Sequence, residues 1–205
     1  MKRFHNWILV LILLLPYPGA FAAAVQAGAA QPRAAVDRLQ EALIETMKQG
    51  GSLGYAGRYD ELEPVVLDTH DLEGALRVAV GRHWEQLTED ERARLLAAFK
   101  RQSVAEYAGR FERHSGEEFE FIEQEPGRRG RVVIRSRLLR PGEESIAFIY
   151  VLHEVDGAWR ILNIVVDGVS DLALKRAEYT SILKTAGVDV LVKKIDAKTA
   201  KLATD

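Results

Sequence analysis

The stretch NIVVDGVSDLALKRAEYTSILKTAG, residues 163 to 187, runs an aliphatic strand into a glycine turn, then a serine, then an amphipathic helix. Two chemical readings compete for it. Some hydrolases hold a nucleophilic serine at a strand–Gly-x-Ser–helix elbow of the form G-x-S-x-G. Here the five residues are Gly168-Val169-Ser170-Asp171-Leu172, so the second glycine is missing and Leu172 crowds the turn. That elbow also needs an acid and then a histidine after the serine, and no histidine follows His153. His153 would serve only in a different chain order. The plain reading uses every residue. Asp167-Gly168 makes the turn, Ser170 caps the helix, and Asp171 puts negative charge in the first turn, where the helix dipole favours it. No catalytic residue is expected here.

Upstream of the turn the apolar pattern has a period of two. EFEFIE, RVVIRSRLL, ESIAFIYVLHEV and AWRILNIVV read as four strands, joined through EPGRRG, RPGEE and EVDGA. Each joint carries glycine at or near the turn, so consecutive strands pair antiparallel. In RVVIRSR, Val132 and Ile134 face one side and Arg131, Arg135 and Arg137 the other. IAFIYVL and ILNIVV hardly alternate, which predicts cover on both faces of the sheet.

Before residue 114 the pattern is helical. Val36, Leu39, Leu43 and Met47 recur at helical spacing after Pro32, and Gly50-Gly51 is expected to end that run. GGSLGYAGRY reads as a loop, and Pro64 predicts a short or broken helix after it. A further helix starts at Asp71, with Leu72, Leu76, Val80 and Trp84 on one face. Thr88-Glu89-Asp90-Glu91 is a capping box that opens the longest expected helix, to about Arg113. Two helices, about 170–186 and 188–196, close the chain, and residues 197–205 read as a polar tail. Helices first and a meander after them predict an α+β fold.

The first residues have the parts of a secretory signal. Lys2 and Arg3 precede the apolar run Trp7 to Leu15, and Pro16, Pro18 and an Ala20-Phe21-Ala22 site follow. The run is too short to span a bilayer, which takes ~20 apolar residues. Cleavage is expected near Ala22 to Ala24, so that 1–24 is signal, 25–31 a small-residue tether and 32–196 a single domain. Removing the signal takes the formal charge from −2 to about −4. That balance gives no case for a nucleic-acid partner. Cysteine is absent, which excludes disulfides, thiol catalysis and cysteine zinc sites.

The histidines offer no metal site either: there are five, one lies in the signal, and no two stand at i, i+4 on a helix. Asp68-Thr69-His70-Asp71 gathers two carboxylates and an imidazole, but reads as a loop ending in a cap. Arg128, Arg129 and Arg131 form a basic hairpin tip that reads as a solvated turn.

The quoted run also carries a resemblance. W-[RK]-I-x-N-I-x-x-D-G-V-S, followed by an arginine, an aromatic residue and a glycine, looks like the signature of the MlaC / toluene-tolerance family. Here it is borne by Trp159, Arg160, Ile161, Asn163, Ile164, Asp167, Gly168, Val169, Ser170, Arg176, Tyr179 and Gly187. Gly81, Trp84, Leu87 and Thr88, with Tyr107 later, are similar to that family's helical half. The resemblance implies a periplasmic lipid carrier, not an enzyme, with no cofactor. Such carriers shuttle phospholipid between an inner-membrane ABC transporter complex and an outer-membrane lipoprotein complex. SDLALKRAEY leans toward the family's HpnM branch, which accompanies hopanoid biosynthesis.

The expected architecture is a helical half packed on a four-stranded antiparallel meander, closed by two helices, with an apolar pocket between sheet and helices and the chain a monomer. Candidate pocket walls are Phe99, Tyr107 and Phe111 on the long helix and Val132, Ile134, Phe148, Tyr150, Leu152, Ile161, Ile164 and Val166 on the strands. Val169, Leu172, Tyr179 and Leu183 are candidates around the closing helix. Arg176 is the head-group candidate, since a planar guanidinium suits phosphate oxygens; the alternative pairs it with Asp167 or Asp171. Two other classes fit the pattern. One is a small enzyme on a cone-shaped fold of the NTF2-like kind, which needs an acid or histidine in the pocket. The other is a periplasmic adaptor with a filled core.

Overall fold

A single glycine divides the first helical segment into two pieces. In the computed structural model, which describes residues 31–204, α1 runs Pro32–Thr69 and only Gly54 (φ 61°, ψ −176°) leaves helical geometry. The expected signal and residues 25–30 of the tether lie outside the described residues. The break at Gly54 frees the carbonyl of Gly50, and the Nη1 of buried Arg58 reaches it at 3.4 Å. The same guanidinium donates from Nε to the carbonyl of Ala108 at 2.8 Å, near the end of α3 (Glu89–Arg110). One side chain thus serves carbonyls left over at two helix irregularities.

The expected helix end at Gly50-Gly51 and the loop after it are therefore corrected. Gly50 is there for close approach: a Cβ on it would sit 1.8 Å from the carbonyl oxygen of Glu112. Pro64 does not break the helix either. An interior proline costs about 3 kcal/mol, and the flanking Leu62 and Val66, both fully buried, offset that by burying two large aliphatic side chains.

α2 (Leu72–Val80) is capped by Asp71, whose Oδ1 accepts from the Gly74 N–H at 2.8 Å. A short 3₁₀ turn, Gly81–Gln86, leads to α3. The capping box at Thr88 and Glu91 is present in both directions, at 2.8 and 3.2 Å. α3 stops at Arg110 and not at Arg113, because Phe111 turns out of the helix to bury its ring. No helix among the described residues is long and apolar enough to cross a membrane.

The fold is α+β, and its sheet is an antiparallel meander of five strands, not four. They are β1 (Glu118–Pro126), β2 (Val132–Leu139), β3 (Ile146–Val155), β4 (Ala158–Val166) and β5 (Val169–Ser170). β5 has two residues, too few to show a period in sequence. The β3–β4 turn, Asp156-Gly157, has positive φ at both positions, and so does Asp167-Gly168 between β4 and β5. Both are two-residue hairpins of the type that matches strand twist. Asp167 is held further by β3, exchanging backbone and side-chain bonds with Ala147 at 2.9 and 2.8 Å.

Register places Ile134, Ser136 and Leu138 opposite Tyr150, Phe148 and Ile146 on one face. The helices pack on that face: Gln40 of α1 donates to Ser136 (2.9 Å) and to the Tyr150 hydroxyl (3.1 Å). The other face bears Arg135, Arg137, Ile149 and Val151. Ile149 and Val151 are half-buried, not covered by a second layer. Cover on both faces was expected from their apolarity. Arg135 instead stands opposite Ile149, where its stem shields apolar surface while its head pairs with Glu123 and Glu125 of β1.

α4 (Asp171–Thr185) and α5 (Val188–Leu202) close the chain. Ser170 caps α4, accepting from the Ala173 N–H at 3.2 Å. α5 lies along α3, tied by Arg94–Asp189 and Arg101–Asp196, both 2.7 Å. Residues 197–202, expected in a polar tail, belong to α5, where Lys198 pairs with Glu178 and Leu202 packs beside Gly109.

Candidate functional site

A cavity of about 480 Å³ opens between α3 and the helix-covered face of the sheet. Phe99 and Tyr107 project into it from one side of α3, two turns apart, and Phe111 joins them from just past the helix end. Phe148, Ile161, Ile164 and Val166 form the sheet wall, and Leu172 comes from the first turn of α4. These eight pocket candidates named from sequence stand together.

The other candidates lie elsewhere. Ile134, Tyr150 and Leu152 are on the same face of the sheet, but toward the end where α1 packs down and fills the space; half-buried Val132 stands opposite Leu152 there. Tyr179 fills core between α3 and α4, its ring edge-on to Phe99 and its hydroxyl donating to Gln102 at 2.8 Å. Leu183, a turn further along α4, is half-buried beyond the cavity. Val169, in β5, points outward and is 55% exposed.

Arg176 does not line this cavity. Its Nη1 donates to the Val78 carbonyl at 2.7 Å, in the last turn of α2, and its head lies against Gly81. Neither expected acidic partner is engaged with it: Asp167 accepts from Ala147, and Asp171 pairs with Lys175.

The polar pairings of the site gave no sequence signal, although Tyr107 is a wall candidate and His70 stands in the cluster that reads as a loop and cap. His70 and Tyr107 meet in the cavity wall, with Nε2 2.9 Å from the phenolic oxygen. Burial lowers the His70 pKa to about 4, so the imidazole is neutral near pH 7, and burial pushes Tyr107 well above the usual phenol range. Nδ1 lies 3.2 Å from the Val66 carbonyl, an acceptor, which makes Nδ1 the protonated nitrogen and leaves Nε2 to accept from Tyr107. The flanking carboxylates are committed. Asp68 pairs with Arg38 and Arg160, and Asp71 with His153 at 2.8 Å.

A second polar group contributes two carboxylates, Glu106 and Asp171, to the cavity lining. Lys175 of α4 is buried, with its ammonium 2.9 Å from both Glu106 oxygens and also bonded to Asp171. Burial raises the Glu106 pKa and Lys175 counters it. The helical wheel marks Leu172, Tyr179, Leu183 and Ala186 as the inward stripe of α4. The buried positions are Tyr179 and Lys175, because Glu106 supplies a partner that a wheel does not show.

The cavity's rim is charged. Arg110, Arg113 and Arg140 border it, with Glu112 and Glu117 beside them. Arg140 is engaged with Glu143 and the Glu144 carbonyl, and Glu117 accepts from the Ser115 N–H, which lowers its pKa. Arg110 and Arg113 point to solvent, without an ion pair among the described residues. The site as a whole offers a largely apolar interior, two neutral hydrogen-bonding rings and two Lys175-paired carboxylates in its wall, and a rim of mixed charge.

Three comparisons with known proteins bear on this arrangement. A comparison with curated protein sequences finds no match. Among solved structures, the phospholipid-binding protein from Ralstonia solanacearum, solved in complex with a phospholipid, superimposes with a TM-score of 0.75 at 21% identity. The match covers 85% of this chain and 99% of that one, and shows a shared fold. The family model of the MlaC protein matches residues 37–197, which takes in α3, the whole sheet and the cavity between them, and the chain belongs to the MlaC family.

Proposed function

We propose that this protein is a periplasmic carrier that holds the acyl chains of a phospholipid in the cavity between α3 and the sheet. The observation that carries the reading is the cavity itself: an apolar space walled by Phe99, Phe111, Phe148, Ile164 and Val166, opening at a rim with three arginines. Each methylene moved from water into such a space contributes ~0.8 kcal/mol, so acyl chains gain strongly by entering. Arg110 and Arg113 stand where a phosphate would emerge, and a guanidinium fork suits its oxygens. The phospholipid-binding relative supports the same ligand class here. The cargo moves between an inner-membrane ABC transporter complex and an outer-membrane lipoprotein complex, as membership of the family implies.

We read the site as one of binding without chemistry. In the wall, the Nε2 of His70 is occupied by a phenol that burial keeps protonated, and the lining carboxylates of Glu106 and Asp171 are both paired with Lys175. Native mass spectrometry and lipid extraction of the protein purified from the periplasm test the reading. One phospholipid per chain is expected. An apo mass with no extractable lipid overturns it, and a hopanoid mass in place of phospholipid moves the cargo to the class that the Ser170–Asp171 continuation resembles.

A further inference from the structure

Arg176, which the lipid cavity does not use, belongs to a second concavity. A cleft of about 390 Å³ lies between the Gly81–His83 turn and the middle and end of α4. Arg82, His83, Arg176 and Lys184 line it, with Ala177 and Ser181, and no carboxylate does. None of its lining residues lines the lipid cavity.

The acids that could neutralise it are engaged elsewhere. Glu178 points to α5 and pairs with Lys194 and Lys198, Glu85 pairs with Arg92, and Glu73 pairs with Arg77. Arg82, Arg176 and Lys184 are exposed, and Arg176 uses one nitrogen on the Val78 carbonyl. Positive charge is thus concentrated, without a carboxylate in the cleft, on a chain whose formal net charge is −2. Such a patch attracts and orients an acidic partner.

Beside the cleft stands an apolar contact. Leu174 is 60% exposed, and on α4 it shares a face with Ala177 and Ser181, three and seven residues on. A free inorganic anion gains nothing from Leu174. A flat bilayer surface meets Leu174 but does not fill a concave cleft. A protruding peptide carrying acids and an apolar side chain meets both. We infer that this cleft docks an acidic segment of a protein partner, with Arg82 and Lys184 reading its carboxylates and Leu174 its apolar contact. The inference is independent of the lipid reading.

Fluorescence anisotropy on the lipid-loaded protein tests it, with a fluorescein-labelled peptide of glutamates around a central leucine as probe. Arg82→Glu and Lys184→Glu each weaken binding by about tenfold, and Leu174→Ser by about threefold, with thermal unfolding and bound lipid unchanged. Arg128→Glu, at the exposed hairpin tip, leaves binding intact. Wild-type affinity in both cleft variants overturns the proposal, as does an equal loss in Arg128→Glu, which would mean diffuse attraction. Displacement of the peptide by equimolar inorganic phosphate assigns the cleft to a small anion and also overturns it. Tighter binding to phosphatidylglycerol vesicles, lost in the same two variants, would assign it to a membrane surface and do the same.

Discussion

His70 Nε2 lies 2.9 Å from the Tyr107 hydroxyl, so two neutral rings share one proton inside the wall of an apolar cavity. The arrangement couples stability to pH. Burial holds the folded His70 pKa near 4, below its value of 6.5 when unfolded. Between those values the unfolded chain takes up a proton that the folded chain does not, so this contribution is intact above about pH 6.5 and is lost as pH falls toward 4. Its size is ~3 kcal/mol at most. Urea unfolding of wild type and His70→Gln at pH 7 and 4.5 checks this. The variant loses less stability on acidification, by an amount of that order. Glu106, whose folded pKa is raised, works in the opposite direction in the carboxylate range in both proteins and cancels in the comparison.

Lys175 makes the second prediction. Its ammonium stands between Glu106 and Asp171 with little solvent. Lys175→Met strands a buried carboxylate and costs ~3–5 kcal/mol. Adding Glu106→Gln to Lys175→Met restores most of that, because the uncompensated charge goes with it. Thermal or urea unfolding of the two variants reads the difference.

These two clusters also mark where sequence legibility ends. The strand period, the capping box at Thr88 and the cap at Ser170 are local patterns, and each reappears in the structure. Phe99 and Tyr107 could be placed on one wall because helical spacing puts them there, whereas Phe111 reaches the same wall from beyond the helix end. Ile134 and Tyr150 could not be told from Phe148 and Ile164, since all share the inner face and only the packing of α1 decides which end is filled. The kink at Gly54 depends on Arg58 reaching Gly50 and Ala108, a contact between distant residues. Lys175 and Arg176 show the same limit. The wheel marks neither as core, yet one is buried by a partner on α3 and the other faces a separate cleft.

Filling the cavity is the third prediction. Ile164→Trp places an indole where acyl chain is proposed to lie, against Phe148 and Leu172. Co-purified lipid falls severalfold while the melting temperature holds or rises, since a void is removed and not created. Tyr179→Phe, in solid core outside the cavity, leaves lipid content unchanged.

The rim supplies the fourth. Reversing charge with Arg110→Glu and Arg113→Glu together weakens retention of phospholipid by roughly tenfold at low salt, and less at high salt. Arg176→Ser, away from the rim, does not alter retention. Lipid transfer to acceptor vesicles measures both.

The most direct test locates the ligand. The protein is loaded with a phospholipid carrying bromine on its acyl chains, and the bromine positions are found by anomalous diffraction. The account predicts bromine peaks between α3 and the sheet, beside Phe99, Phe148 and Ile164, with the phosphate at Arg110 and Arg113. Peaks on the outer sheet face, or a cavity that stays empty in a loaded crystal, would contradict it.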